Sequence, residues 1–483
     1  MLEELNHSGY IVIKRTCELC NNTQDVKGDT GSAEKTKIEC RYAYEYIDGF
    51  IYIYAYEAIP EICGNSVVIG TGFDRNNYLF FVSGKITDNW PETSPKRIKI
   101  DYIVKGYEKD ALFTEAVFSF DELQYFCPSV AVVKEDPDYN VTFLSERKEI
   151  KTFDVIVDSI KCHVSFRLRT EGKWGFAKSH MTAFTDIIIS FPETSDYGFL
   201  NKIYLMVDMV FAFICNRRNT TCLSMELIGE HKGEIFQNWQ PVEKMLPFKC
   251  EIYYYDHYRE DPENQDIIMN TWWANGFFDH IDNLFDLIAK DLSGLSDDKG
   301  RGTISIESVH PSLKRRRKID LHLSLQIASA FEFYVRKYLP DMVKEKDYHK
   351  EINQVLENVV ENSSGAKRKL AKSLMKHVLV EPALEDKVWK VYNGYDGWNP
   401  IRPCISKEWF DEDEIQELGS EMNQWRNELA HSKREYKPNA NTIRAVRLIE
   451  HLNYAIVLRK IGYDDNEIKD ILSHVLIHER FDV

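Results

Sequence analysis

The chain has 483 residues, a hydrophobic content of 43% and a formal net charge of −16. This length exceeds one ordinary domain, and the apolar content excludes a disordered protein. The acidity argues against a chain that coats nucleic acid non-specifically, although it leaves room for a local basic groove.

The ten cysteines are scattered, and the first residues, MLEELNHSGY, lack the basic and apolar pattern of a signal peptide. The longest apolar run, Ile203 to Cys215, contains Asp208 and is too short to span a bilayer. These features predict a cytoplasmic protein with mostly free thiols and no membrane partner.

Strand patterns dominate the first half of the chain. From Gly9 to about Thr170, short segments rich in β-branched and aromatic residues are separated by Gly, Asn, Asp or Pro, and several alternate, as in FIYIYAYEAI. A second set of strands follows a buried helix predicted between Phe199 and Asn216. Many short strands without intervening helices predict an antiparallel, sandwich-like region over residues 1–300, with a candidate sub-domain join near 135–150.

One cysteine pair in this region raises the question of a metal. Cys17 and Cys20 form a CxxC pair, but a structural zinc site needs a second close pair of Cys or His, and the next cysteines, Cys40 and Cys63, are single. We therefore predict no metal and no cofactor. A zinc-dependent protein that uses these four cysteines is the alternative, and a metal assay on purified protein decides it.

The periodicity changes to helical toward the C-terminus. A helix is predicted to end near Gly294, and the Gly-, Ser- and charge-rich stretch from Ser293 to Thr303 is the best linker, so we place a domain boundary at residue 300. Residues 301–483 then form an all-α bundle. Its predicted helices are 320–339, 341–361, 367–380, 385–392, 411–432, 438–461 and 466–478.

The start of this bundle is basic. From Lys314 to Lys376 there are 15 Lys and Arg against 8 Asp and Glu, a local reversal of the overall charge. The densest run is Lys314, Arg315, Arg316, Arg317 and Lys318. RNA phosphate binding is one use for this run, and a solvated linker or helix lead-in is the other.

The predicted helix 411–432 contains the sequence WRNELAHS. Its apolar residues Ile415, Leu418, Met422, Trp425 and Leu429 recur with spacings of 3 and 4, which is a helical core stripe. Arg426 and His431 lie off the stripe and about 140° apart on one straight helix. A single helix therefore cannot aim both at one point, so Arg426 must reach round, the helix must loosen, or a second helix or a second copy must complete the site.

These residue types suit metal-free cleavage of RNA. The 2′-OH of RNA attacks the adjacent phosphate once it loses its proton, which leaves a 2′,3′-cyclic phosphate and a 5′-OH end. His431 has a side chain that moves protons near neutral pH, and the guanidinium of Arg426 suits the charge that develops on the phosphate oxygens. Asn427, one helical turn before His431, can orient the histidine or the phosphate.

The spacing of Arg426, Asn427 and His431 resembles the signature of HEPN ribonucleases. The β-rich region followed by a helical bundle is similar to the ApeA family of bacterial abortive-infection proteins. The resemblance implies a metal-independent endoribonuclease that acts as a homodimer or a dimer-based oligomer. It further implies an N-terminal region that senses phage, through a phage-encoded trigger protein for example, or restrains the nuclease, and host RNA, with tRNA a candidate, as the substrate.

Glu332 on the first bundle helix is a weaker candidate. HEPN bundles often carry an acidic residue there, and Glu332 could pair with Arg426 or with the basic run; a surface or capping role is the alternative. For His451 and His377, packing or surface roles are favoured. The competing function is a non-catalytic HEPN-like dimerisation or binding module whose β-rich domain binds a protein or other ligand.

Overall fold

The structure is a computed structural model of the full chain. It describes residues 8–14, 37–41, 51–55, 66–71, 77–82, 96–100, 102–108, 111–127, 133–135, 141–143, 148–174, 179–215, 220–222, 224–237, 240–254, 277–293, 316–318, 321–339, 347–378, 382–395, 398–430, 439–475 and 480–482. The chain divides into two compact units. The first comprises residues 1–211 and 219–269, and the second comprises residues 212–218 and 270–483.

Strands make up most of the described part of the first unit. Their bounds are β1 Ser8–Lys14, β2 Lys37–Arg41, β3 Ile51–Ala55, β4 Ser66–Thr71, β5 Asn77–Val82, β6 Lys96–Ile100, β7 Tyr102–Lys105, β8 Leu112–Phe118, β9 Val133–Glu135, β10 Val141–Phe143, β11 Lys148–Val157, β12 Ile160–Trp174, β13 Ser179–Thr194, β14 Ser224–Gln237 and β15 Gln240–Tyr254. All but β9 and β10, which pair with each other, belong to one sheet.

The strand order in that sheet is β11, β12, β13, β8, β14, β15, β7, β5, β4, β1, β2, β3 and β6, and every neighbouring pair is antiparallel. Hydrogen bonding is thus continuous through the described strands. Apolar side chains from neighbouring strands, including Phe113, Ile187 and Leu227, are fully buried. The sheet forms because β-branched and aromatic residues recur with a period of two.

This unit contains the helix α1 Asp121–Phe126 and, up to Phe211, the helix α2 Tyr197–Cys215. The ring of Phe211 in α2 lies edge-on to Phe120 and Phe126, with centroids 4.7 and 5.4 Å apart. By length and composition, the window Tyr197–Ile214 is apolar enough to cross a membrane, but 67% of it is buried inside the protein. The predicted buried helix at 199–216 is thus present and starts two residues earlier.

The second unit is mainly helical. Its described helices are α3 Ile281–Leu292, α4 Leu321–Tyr338, α5 Asp347–Asn362, α6 Gly365–Val378, α7 Leu384–Asn393, α8 Ile415–Ala430, α9 Ala440–Ile461 and α10 Asp465–Val475. The mostly buried helix α9 packs against α4, α8 and α10. These bounds agree with the predicted helices to within a few residues; the first residues of the predicted helix 341–361 lie outside the described residues, and α5 is described from Asp347. An antiparallel β-rich region followed by a helical region is the fold class that the sequence predicted.

The division between the units falls before the predicted boundary at residue 300. Helix α3 belongs to the second unit, where Asn283 donates a hydrogen bond to the carbonyl of Ile461 (2.8 Å) and Asp291 pairs with Lys337 on α4. The linker signal at Ser293–Thr303 therefore separates two helices of one unit. The candidate join near 135–150 lies partly outside the described residues.

A short parallel ladder adds strands to a region predicted to be all helical. Strand β16, Arg316–Lys318, pairs with β17, Arg480–Asp482, so segments that precede α4 and follow α10 lie side by side. Helical periodicity cannot reveal a three-residue ladder of this kind, because it requires a partner more than 160 residues away.

Candidate active site

Helix α8 carries the predicted motif and is fixed at its start. Asp411 and Glu414 form a capping box on the 3-10 turn Glu412–Glu414 that leads into the helix, and this turn is acidic, as the helix dipole favours. The predicted stripe is confirmed over its described part, because Ile415, Leu418, Met422 and Trp425 are all buried. Arg426 therefore follows directly after a buried anchor.

Arg426 is held by Glu332 of α4. Its Nη1 donates to Glu332 Oε1 over 3.0 Å, and its Nη2 lies 2.9 Å from Glu332 Oε2. The Glu332 side chain is 10% exposed, whereas that of Arg426 is 35% exposed. Arg426 is one of the two partners that the sequence suggested for Glu332. The bidentate pair occupies the Nη edge of the guanidinium and leaves the edge that contains Nε–H for another acceptor.

A second cation meets the same carboxylate. Lys387 of α7 donates from Nζ to Glu332 Oε1 over 3.0 Å, and its side chain is 1% exposed. Glu332 thus joins α4 to α7 and α8 through charged hydrogen bonds inside the bundle. Two cations share one anion, so these three side chains together carry a positive formal charge. A carboxylate fixed by Lys387 presents both oxygens to Arg426 in one defined orientation.

The close approach of α7 and α8 depends on a glycine. A Cβ added to Gly419 would lie 3.2 Å from the Cα of Glu385 and 3.4 Å from the Cβ of Val388. A side chain at this position would require α7 to move by a few tenths of an ångström. Gly419 therefore favours close packing of α7 on α8.

The structure describes one of the other two predicted motif residues. Asn427 is described and exposed on α8. His431 lies outside the described residues, one position beyond the last described residue of the helix, Ala430. The described chain resumes at Asn439, the N-cap of α9. In the first turn of α9, the Thr442 hydroxyl donates a hydrogen bond to Glu421 on α8 over 2.7 Å, so the start of α9 contacts α8. The role of His431 remains a prediction from sequence.

The basic run is only partly described. Lys314 and Arg315 lie outside the described residues, and the backbone of Arg316, Arg317 and Lys318 forms strand β16. The suggested RNA-binding role of this run therefore stays a prediction.

His451 on α9 is a packing residue. It is 4% exposed, its Nδ1 lies 2.8 Å from the carbonyl oxygen of Arg447, and its ring contacts Trp409 and Phe410 at centroid distances of 5.1 and 5.3 Å. Burial is the main reason that the pKa of His451 is lowered to about 4. The hydrogen bond with the Arg447 carbonyl opposes this shift, and the charge of Arg447 contributes to it. A neutral, enclosed imidazole agrees with the packing role that the sequence favoured. The side chain of His377 is outside the described part of the chain.

Sequence reasoning missed Lys387. The buried positions of α7 are Leu384, Lys387, Val388, Val391 and Tyr392, so a lysine occupies the apolar stripe of an amphipathic helix. A lysine at such a position is rarely fully buried without a charged partner, and this placement was the available signal. The identity of the partner, 55 residues earlier in the sequence, could not be read from the pattern.

The cysteines of the zinc hypothesis cannot be compared in space. Cys17, Cys20 and Cys63 lie outside the described residues, and Cys40 belongs to β2. Elsewhere, the described cysteines Cys127, Cys162, Cys222, Cys250 and Cys404 are buried and form no disulfide bond.

Residues 325–467 match the family model described as Apea-like HEPN. The matched range includes Glu332, Lys387 and the three motif residues. Comparisons with curated proteins and with solved structures found no significant match. The helical fold of the same residues agrees with the family match, so the C-terminal region of this chain is similar to an Apea-like HEPN domain.

Proposed function

We propose that the protein is an anti-phage endoribonuclease that cleaves RNA without a metal ion through Arg426, Asn427 and His431. HEPN domains are generally ribonucleases, bind RNA and dimerise, and an Apea-like HEPN domain supports a nuclease-type role in defence. The observation that carries the proposal is the bidentate contact between Glu332 and the half-exposed Arg426. It orients a cation at the bundle surface while leaving N–H donors for a phosphate.

Each motif residue has a part in the proposed reaction. The Nε–H edge of Arg426 binds a non-bridging phosphate oxygen and stabilises the added charge as the 2′-oxygen attacks phosphorus. The bond from phosphorus to the 5′-oxygen then breaks, leaving a 2′,3′-cyclic phosphate and a 5′-OH. His431 moves the proton of the attacking 2′-hydroxyl to the departing 5′-oxygen, and Asn427 orients the histidine or the phosphate. A second copy of the chain supplies the complementary half of the site, because Arg426 and His431 do not point the same way on one helix.

Regulation by the N-terminal region is part of the proposal. A cytoplasmic nuclease that cuts host RNA, with tRNA as one candidate, must be restrained until infection. We expect the β-rich unit to provide that restraint and to release it upon a phage signal. Full-length protein should then leave uninfected cells growing and should halt growth after infection. Growth arrest by full-length protein before infection would count against restraint, although not against the nuclease activity.

The experiment that tests the nuclease compares wild type with Arg426→Ala and His431→Ala in phage protection and in cleavage of total RNA in EDTA. Arg444→Ala is the matched control, because Arg444 also pairs with a glutamate, Glu414 (2.6 Å), and has a similar exposed fraction of 42%. Both motif variants should lose protection and cleavage, while the control retains them. If folded motif variants protect as well as wild type, the domain is a non-catalytic binding module.

A further inference from the structure

Helices α5 and α6 form a hairpin, called here the α5–α6 hairpin, whose apolar side chains are exposed. Among the described elements, the extensive packing of these two helices is on each other. Between residues 351 and 375, whose side chains the structure describes, Ala371 alone is buried. The large apolar side chains of this hairpin that are exposed to solvent, with their exposed fractions, are Ile352 (44%), Val355 (62%), Val359 (39%), Leu370 (62%) and Leu374 (45%).

The spacing of these residues makes a continuous apolar surface. On α5, Ile352, Val355 and Val359 lie beside the half-buried Leu356 and Val360, and together they cover roughly 140° of the helix circumference at about 100° per residue. The contact with α6 covers only part of that sector. Leu370 and Leu374 are one turn apart on α6 and continue the exposed surface. An amphipathic helix normally buries such a stripe, so this surface is suited to a partner.

The charges around the stripe are divided by sign between the two helices. The exposed charged residues described on α5 are Glu351, Glu357 and Glu361, and those on α6 are Lys367, Arg368, Lys369 and Lys372. A surface with an acidic half and a basic half is complementary to itself after a two-fold rotation, because α5 of one copy then faces α6 of the other. An RNA partner would meet the acidic helix, and the exposed apolar side chains are aliphatic rather than the aromatic ones that stack on bases.

We propose that the α5–α6 hairpin is a two-fold interface between copies of this chain. The five aliphatic residues form its centre, and the acidic helix of each copy faces the basic helix of the other. Helices of 16 and 14 residues are about 20–24 Å long. The area that each copy buries should therefore be small for a specific interface, for which about 800 Å² per partner is usual. Association through it should therefore depend on protein concentration. The proposed nuclease needs two copies, and this inference names the surface that joins them.

The test uses two charge-reversed full-length proteins. The first carries Glu351→Lys, Glu357→Lys and Glu361→Lys, and the second carries Arg368→Glu, Lys369→Glu and Lys372→Glu. Each alone should have the mass of one chain by light scattering at concentrations where wild type is dimeric, because like charges then meet at the interface. An equimolar mixture should regain the dimer mass, because the reversed surfaces complement each other. Folding is checked by circular dichroism.

Two further variants keep the proposal decisive if charge reversal harms folding. Val355→Ser with Leu370→Ser should weaken self-association at least tenfold, whereas Phe236→Ser, which removes a more exposed side chain (79%) from β14, should not. A monomeric wild type, or reversed proteins that each remain dimeric, would overturn the proposal. Loss of RNA binding by the second reversed protein with its mass unchanged would overturn it in favour of an RNA surface. The Arg426→Ala substitution should leave all of these masses unchanged. A failure of the nuclease proposal can therefore be distinguished from a failure of the interface proposal.

Discussion

The second unit contains two charged regions that are built in opposite ways. At Glu332, opposite charges from three helices lie about 3 Å from each other; Glu332 and Lys387 are buried, and Arg426 is partly exposed. On the α5–α6 hairpin, the charges are exposed and surround aliphatic side chains. The first arrangement holds one guanidinium in place, which catalysis requires. The second leaves its charges available, which selective association requires. Substitutions in the two regions should therefore affect different properties.

The largest expected effect follows removal of the fixed cation itself. Arg426→Ala should lower RNA cleavage by a factor on the order of 10² to 10³ or more, since a donor to the developing phosphate charge is lost. The unfolding temperature should change only slightly, because the Arg426 side chain is partly in solvent. Single-turnover cleavage rates and thermal melts on the same preparation separate the two effects. A large fall in unfolding temperature with a proportionate loss of activity would identify Arg426 as a structural residue.

Neutralising the carboxylate of Glu332 should lower both RNA cleavage and the stability of the fold. Glu332→Gln breaks the buried ion pair with Lys387 and removes the bidentate partner of Arg426, so we expect a loss of about 3–5 kcal/mol in unfolding free energy. The double substitution Glu332→Gln with Lys387→Met should be more stable than Glu332→Gln alone, because it also removes the buried charge that had paired with Glu332. Denaturant unfolding of the four proteins in this cycle measures the coupling. Additive effects would mean that the two residues act independently.

Stability should fall in acid through His451. The pKa of this side chain is lowered to about 4 in the folded protein and is near 6.5 when unfolded, so the unfolded state binds the extra proton between these values. The contribution of His451 to stability is therefore present above pH 6.5 and declines by about 3 kcal/mol as the pH falls to 4. His451→Gln should remove this part of the pH dependence and leave RNA cleavage intact. Equal pH slopes for the two proteins, or loss of cleavage in the variant, would contradict the packing role.

The smallest expected effect on stability lies in the α5–α6 hairpin. Lys372→Glu alters an exposed charge, so it should change the unfolding free energy of the monomer by less than about 0.5 kcal/mol. Its effect should be on self-association, measured by light scattering over a range of protein concentrations. A destabilisation as large as that of Glu332→Gln would contradict the expectation that substitutions in the hairpin affect association rather than stability.

Local signals made the fold predictable and left the long-range contacts open. Period-two and helical patterns, with the acidic first turn of α8, predict the β-rich and helical regions and the buried stripe that precedes Arg426. Pattern alone does not show that the stripe on α5 faces solvent, because a buried and an exposed apolar face have the same spacing. It also does not place α3 with the later helices, since the intervening linker has the composition of a domain boundary.

The site was predictable only in part for the same reason. A pairing of Glu332 with Arg426 was one of three roles considered, beside the basic run and a surface or capping role, and the structure shows this pairing. The addition of Lys387 depends on how α4, α7 and α8 pack. The close contact at Gly419 is a further feature that the motif does not show. Residues that act through shared partners distant in sequence are the ones that a single sequence conceals most effectively.

The central claim is that Arg426 promotes attack of an RNA 2′-oxygen on its own phosphate. The most direct measurement is the end chemistry of total RNA treated in EDTA with wild type or with Arg426→Ala. We expect wild-type fragments with 5′-OH ends and with 3′ ends that cannot be extended until a 2′,3′-cyclic phosphatase removes the phosphate, and no such fragments with the variant. Free 3′-OH ends from wild type, or equal fragmentation by the folded variant, would contradict it.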